Sequence, residues 1–160
     1  MMTTGLEELG VECGRLLRER GETVAIAEGS AGGLISASLL AVPGASAYYL
    51  GGSVVYTRAA VKAFIAGPVE QPAGMRGATE AFATYLAASV AAQLGSTWGL
   101  SEAGAAGPPN PYGDPAGHCW IALSGPASVA RHVLTGDDDR PRNMVAFAAA
   151  ALELLREQLG

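Results

Sequence analysis

Three groups of side chains in this sequence could do chemistry. The densest is Glu28-Gly29-Ser30-Ala31-Gly32-Gly33, where a carboxylate and a hydroxyl sit among glycines. Glycine lets a backbone approach an anion without a Cβ clash, and a turn leading from a strand into a helix aims N–H groups at a phosphate or carboxylate. The turn lacks the lysine of a Walker A loop and the GxGxxG spacing of a dinucleotide fingerprint. Its other reading is a tight turn kept for packing. The second group, Tyr56, Thr57 and Lys62, brings a phenol, a hydroxyl and an amine together beyond a β-prone run. Lys62 reads equally well as a solvated helix lysine. The third comprises His118, His132 and Asp137-Asp138-Asp139. His118 beside Cys119 and Trp120 reads as structural, and His132 alternates with Arg131 toward solvent. Consecutive acids point in different directions, so the triad reads as an exposed turn and neither a metal nor a cofactor is expected.

Elements that could hold these groups follow from periodicity. Leu6, Leu9, Cys13, Leu16 and Leu17 repeat at helical spacing, with Thr4 and Glu7 as a capping box and Gly21 as the stop. Thr23–Ala27 predicts a first strand that feeds the glycine turn, and Leu34–Ala41 a helix after it. Tyr48–Tyr56 predicts a second strand, Arg58–Ile65 a short helix, and Thr79–Leu94 a long one. Trp98–Gly104 predicts a third strand. The loop Gly104–Gly117, rich in glycine and proline, is long enough to suggest a binding loop. His118–Leu123 and Val129–Leu134 form a predicted hairpin, and Arg142–Leu159 a closing helix. Strands alternating with helices and then a hairpin imply an α/β protein, a three-layer α/β/α sandwich with a mixed, mostly parallel sheet in one domain spanning 1–160. In such sheets ligands bind beyond the carboxyl ends of the strands, where the turn Glu28–Gly33 and the loop Gly104–Gly117 should lie.

Composition narrows the partners. At 160 residues and 49% hydrophobic the chain can bury a core without disulfides or a structural metal. Cys13 and Cys119 are far apart, in no CxxC, and read as buried thiols suited to a reducing cytoplasm. A net charge of −5 argues against a nucleic-acid surface. Arg15, Arg18 and Arg20 lie among glutamates as a solvated helix face. Neither a signal peptide nor a bilayer-spanning run is read, so no membrane partner is expected.

The motifs in order are Ala27-Glu28-x-x-x-Gly32-Gly33, Pro43-Gly44-x-Ser46, Gly52-x-Val54-x-Tyr56, Gly104-x-Ala106-Gly107-Pro108 and Pro115-x-Gly117. Together they resemble the CinA C-terminal domain family over nearly the whole chain. That family includes nicotinamide mononucleotide deamidases, which hydrolyse a carboxamide and release ammonia. The resemblance implies a serine nucleophile with a lysine and a tyrosine near it, and a nucleotide ligand at Glu28, Gly29, Gly32, Gly33, Gly104, Ala105, Gly107 and Arg142. It leaves room for a homo-oligomer.

This chain departs from the family at the polar positions. The family turn reads Glu-Ser-Cys-Thr-Gly-Gly, so the serine position is Gly29, the cysteine position Ser30 and the threonine position Ala31. The lysine position is Val61, with Lys62 one residue on and turned by about 100° on a helix. The hydroxyl before the second glycine loop is Ala103, and the arginine of a Gly-Asp-Arg turn is Asp138. Three functions stay open. One is a scaffold with a pyridine-nucleotide pocket and weak or no amidase activity. The second is an amidase in which Ser30 works with Lys62 or Tyr56. The third is a non-enzymatic assembly subunit.

Overall fold

The computed structural model describes residues 4–160. The Thr4 side chain, and so the capping box read from Thr4 and Glu7, lies outside the described residues.

Strand β1 (Val24–Glu28) is buried at every residue. It runs parallel to β2 (Tyr49–Val54) on one side and to β3 (Trp98–Ala105) on the other. A central strand covered on both faces reads as an unbroken apolar run, which is why Val24–Ala27 shows no alternation. Strand β4 (His118–Ser124) pairs antiparallel with β3, and β5 (Val129–Leu134) antiparallel with β4. The order is β2-β1-β3-β4-β5, with only β4 reversed. The predicted mixed, mostly parallel sheet is therefore present.

Helices cover both faces. On one, α1 (Thr4–Arg20), α2 (Leu34–Leu40) and α5 (Arg140–Leu159) close Leu6, Leu17, Ile35, Phe147 and Leu152 over Ile26, Leu100 and Ile121. On the other, α3 (Arg58–Phe64) sets Val61, and Ile65 just after the helix, against Ala25 and Ala27. Beside it α4 (Glu80–Leu94) packs Ala83 and Ala87 onto Ala103 and Ala122, small residues that let the helix come close. This is the three-layer α/β/α sandwich.

Two boundaries moved for local reasons. Helix α5 begins at Arg140 because the Asp139 carboxylate accepts the Arg142 N–H at 2.9 Å and Pro141 starts a helix without needing a donor. Strand β2 begins after Tyr48, whose buried hydroxyl donates to the Leu39 carbonyl at 2.6 Å. Cys13 and Cys119 are buried and free, and burial pushes the Cys13 thiol up to about 12 and the Cys119 thiol up as well. Among the described residues no helix is long and apolar enough to cross a membrane.

The topology also places the functional end. Strands β1, β2, β3 and β5 all finish at one edge of the sheet, so the segments 29–33, 55–57, 106–117 and 135–139 gather there.

Candidate functional site

The glycine turn leaves β1 and enters α2 as expected, but its N–H groups have partners inside the protein. Glu28 is fully buried, and its carboxylate accepts the N–H groups of Gly33 at 2.8 Å, Ile35 at 3.1 Å and Ser36 at 3.0 Å. It therefore caps the start of α2, where orphan donors and the positive end of the helix dipole favour an anion. From β3, Glu102 reaches under the same turn. It accepts Gly29 N–H at 3.1 Å, Ala31 N–H at 2.7 Å and the Ser30 hydroxyl at 2.6 Å. Burial pushes the Glu28 carboxyl up and lifts Glu102 from the ordinary 4.5 to about 7, against the pull of its donors. The turn that could have cradled a ligand's anion is instead occupied by two of the protein's own carboxylates.

Ser30 is only 4% exposed, and its hydroxyl is committed to Glu102. Lys62 is exposed on α3, and no hydrogen bond joins it to Ser30. The structure does not bring Ser30, Lys62 and Tyr56 into one hydrogen-bonded constellation. Gly29 itself is not forced by its surroundings. A Cβ there would stand 3.4 Å from the Glu102 carbonyl and 3.9 Å from that of Val55, ordinary contacts on unstrained backbone.

Open space lies to the side of this turn. A cleft of about 920 Å³ is lined by Tyr56, Arg58, Arg76, residues 104–108, Tyr112 and Arg140, among others. Gly104, Ala105 and Gly107 thus face a cavity, while Glu28, Gly29, Gly32 and Gly33 do not line it. Gly107 has φ +120°, and a Cβ there would meet the Asp138 carbonyl at 2.6 Å, so glycine is required where the two loops touch. Arg140 donates to the Gly107 carbonyl and to the Tyr56 hydroxyl, each at 2.6 Å, and lies 5.7 Å from the Tyr56 ring centre. Arg76 pairs with Asp114 at 3.0 Å. Arg58 has no ion-pair partner among the described residues.

Arg142 goes elsewhere. Its guanidinium grips Asp137 with two hydrogen bonds of 2.8 and 3.1 Å, which hold that carboxyl well below its usual range, at about 2. The acidic triad is thus a helix-entry device: Asp139 caps α5 and Asp137 ties down Arg142. His118 and His132 hydrogen-bond to each other, and His118 also contacts the Ala78 carbonyl at 3.0 Å. Among the described residues no cluster suits a metal ion.

The arrangement, a mixed α/β/α sheet with its cleft beside the β3 loop, has relatives. The model of the CinA C-terminal domain matches residues 6–159. The chain belongs to the CinA family. A CinA-like protein of Myxococcus xanthus is 40% identical over 148 residues, covering 89% of this chain and 34% of that protein. A putative competence-damage inducible protein of Desulforamulus reducens is 34% identical over 153 residues, 96% of this chain and 37% of its own length. The chain thus spans about a third of the curated relatives it matches. Among solved structures, the competence damage-inducible protein A of Klebsiella pneumoniae superposes with a TM-score of 0.87 at 26% identity, covering 96% of each chain. A competence/damage inducible protein of Agrobacterium tumefaciens gives 0.88 at 24% identity over 99% of this chain and 98% of that one, a likeness of fold.

Against this CinA background the geometry brings out residues that spacing did not. Where the family resemblance implies an arginine, Asp138 stands, and Arg140 two residues later enters the cleft instead. Nothing in the local sequence marks Arg140, since its placement depends on where α5 starts and how that end abuts Tyr56. Glu102 carried one weak signal, a lone carboxylate inside the apolar run Trp98–Gly104. Arg58 and Arg76 carried none.

Proposed function

We propose that this CinA-family chain binds a pyridine-type nucleotide in the arginine cleft and hydrolyses nicotinamide mononucleotide weakly or not at all. The observation that carries the reading is Arg140. Its guanidinium stands in the cleft held by two neutral oxygens, the Gly107 carbonyl and the Tyr56 hydroxyl, so its charge is left for a ligand anion. Asp114 neutralises Arg76 alone. In a chain of net charge −5 this is a local reversal of sign, and guanidinium forks suit phosphate oxygens. The chemical half of the reading rests on the turn. Amide hydrolysis needs an activated nucleophile; Gly29 has no side chain, and the Ser30 hydroxyl is buried against Glu102.

One observation favours a second reading, an amidase using Ser30. The Glu102 carboxyl, lifted to about 7, lies 2.6 Å from that hydroxyl, which is the spacing of a base and its nucleophile. Calorimetry with nicotinamide mononucleotide and an ammonia-release assay separate the two. Binding should weaken tenfold or more in Arg140→Ala, and ammonia release should stay at or near the blank, equally in the unaltered protein and in Ser30→Ala. Ammonia release that Ser30→Ala abolishes would establish the second reading instead, and unchanged affinity in Arg140→Ala would remove the ligand from this cleft.

A further inference from the structure

The arginine cleft does not end at Tyr56. A second cleft, of about 760 Å³, meets the first at Tyr56, Arg58 and Gly77, which line both. Its character is different. Val55, Val61 and Ile65 form an apolar floor, and the rings of Phe82 and Tyr85 lie nearly parallel, 24° apart with centres 6.5 Å from each other. Lys62 and Gln71 stand among the polar lining residues. The arginine cleft, by contrast, has Tyr112, 79% exposed, among its lining residues.

Resting on the nucleotide reading above, we infer that the ligand class is a pyrophosphate-linked dinucleotide, with one nucleoside in each cleft and the pyrophosphate at the shared wall. Position decides this more than size. Arg58 lines both clefts, and Arg140 is bonded to Tyr56, which also lines both. The guanidiniums without acidic partners therefore stand at the junction of two cavities. The phosphate of a mononucleotide is the end of its molecule, so binding it at the junction fills one cleft and leaves the other as water. A pyrophosphate carries a nucleoside on each side and places negative charge beside Arg58, which lines both cavities, and Arg140, which is bonded to the shared Tyr56. Each cleft lies within the usual range for a small-molecule site. A flat heterocycle also suits the apolar walls around Phe82 and Tyr85, where aromatic contact and burial act together.

Calorimetry on the full chain with three probes tests this: nicotinamide adenine dinucleotide, nicotinamide mononucleotide and adenosine monophosphate. The dinucleotide should bind at least tenfold tighter than the better of the two mononucleotides. Gln71→Trp, at an exposed position lining only the apolar cleft, should crowd that cleft and bring the dinucleotide to within about threefold of the mononucleotide. Phe82→Leu should act in the same direction, and a melting curve confirms that it folds. If the dinucleotide binds no tighter than a mononucleotide, or keeps its advantage in Gln71→Trp, the two-cleft ligand is overturned while the nucleotide reading stands. If none of the three binds, both fall.

Discussion

Replacing Glu102 by glutamine should stabilise the protein at neutral and alkaline pH and leave it nearly unchanged in acid. Glu102 is wholly buried and lifted from 4.5 to about 7 by loss of water. Between those values the folded carboxyl keeps its proton while the unfolded one releases it, so the folded state binds more protons. Stability must then fall as pH rises through this window and level off above it. The shift corresponds to about 3 kcal/mol, an upper figure for a group whose surroundings can relax. Glutamine resembles the protonated acid. Its oxygen can accept the Gly29 and Ala31 N–H groups, and its amide can donate to Ser30, so no partner is orphaned. Glu28 is lifted in the same direction and is present in both proteins, and its charge adds a smaller part of the lift on Glu102. Urea unfolding, followed through Trp98 and Trp120 at pH 4.5 and pH 8, measures the difference. The variant's midpoint should lie roughly 1 to 2 M above the unaltered protein's at pH 8, with the gap closing toward pH 4.5. A gap of the same size at both pH values would show that Glu102 does not change its protonation differently on folding in this window, and a variant weaker at pH 8 would show that its carboxylate is ionised and favourably held.

Two other substitutions examine the turn and the helix that carries Arg140. Gly29→Ser should melt within about 3 °C of the parent, because the added Cβ meets nothing closer than 3.4 Å. Ammonia release should remain at the blank, since Val61 occupies the expected lysine position; a fall of more than 5 °C would mean that the turn needs glycine. Asp139→Ala removes the cap of α5 and should lower stability by about 1 kcal/mol in urea unfolding, with weaker nucleotide binding as the Arg140 end frays. Stability equal to the parent's would show that the acidic segment does not hold the helix start.

Much of this protein could be read along the chain, and the reasons are local. The strand runs and the stop at Gly21 depend on neighbours a few residues away, and they predicted the succession of strands and helices and the three layers correctly. The family motifs were legible as residue types, but the reason for one of them lies far along the chain: Gly107 must be glycine because the Asp138 carbonyl of another loop would stand 2.6 Å from its Cβ. The turn Glu28–Gly33 was legible too, as a strand-to-helix turn rich in donors. Which anion meets those donors was a matter of distance through space. Residues 28 and 102 are adjacent only because β1 and β3 pair in register, so one carboxylate comes from inside the turn and the other from beneath it. Arg140 likewise reaches Tyr56 across 84 positions of sequence. Periodicity and turn chemistry determine which elements form, since both act within a few residues. Pairing, burial and charge act between elements, and they decided that the turn is closed by the protein's own carboxylates while the open, positive surface lies at Tyr56, Arg58 and Arg140.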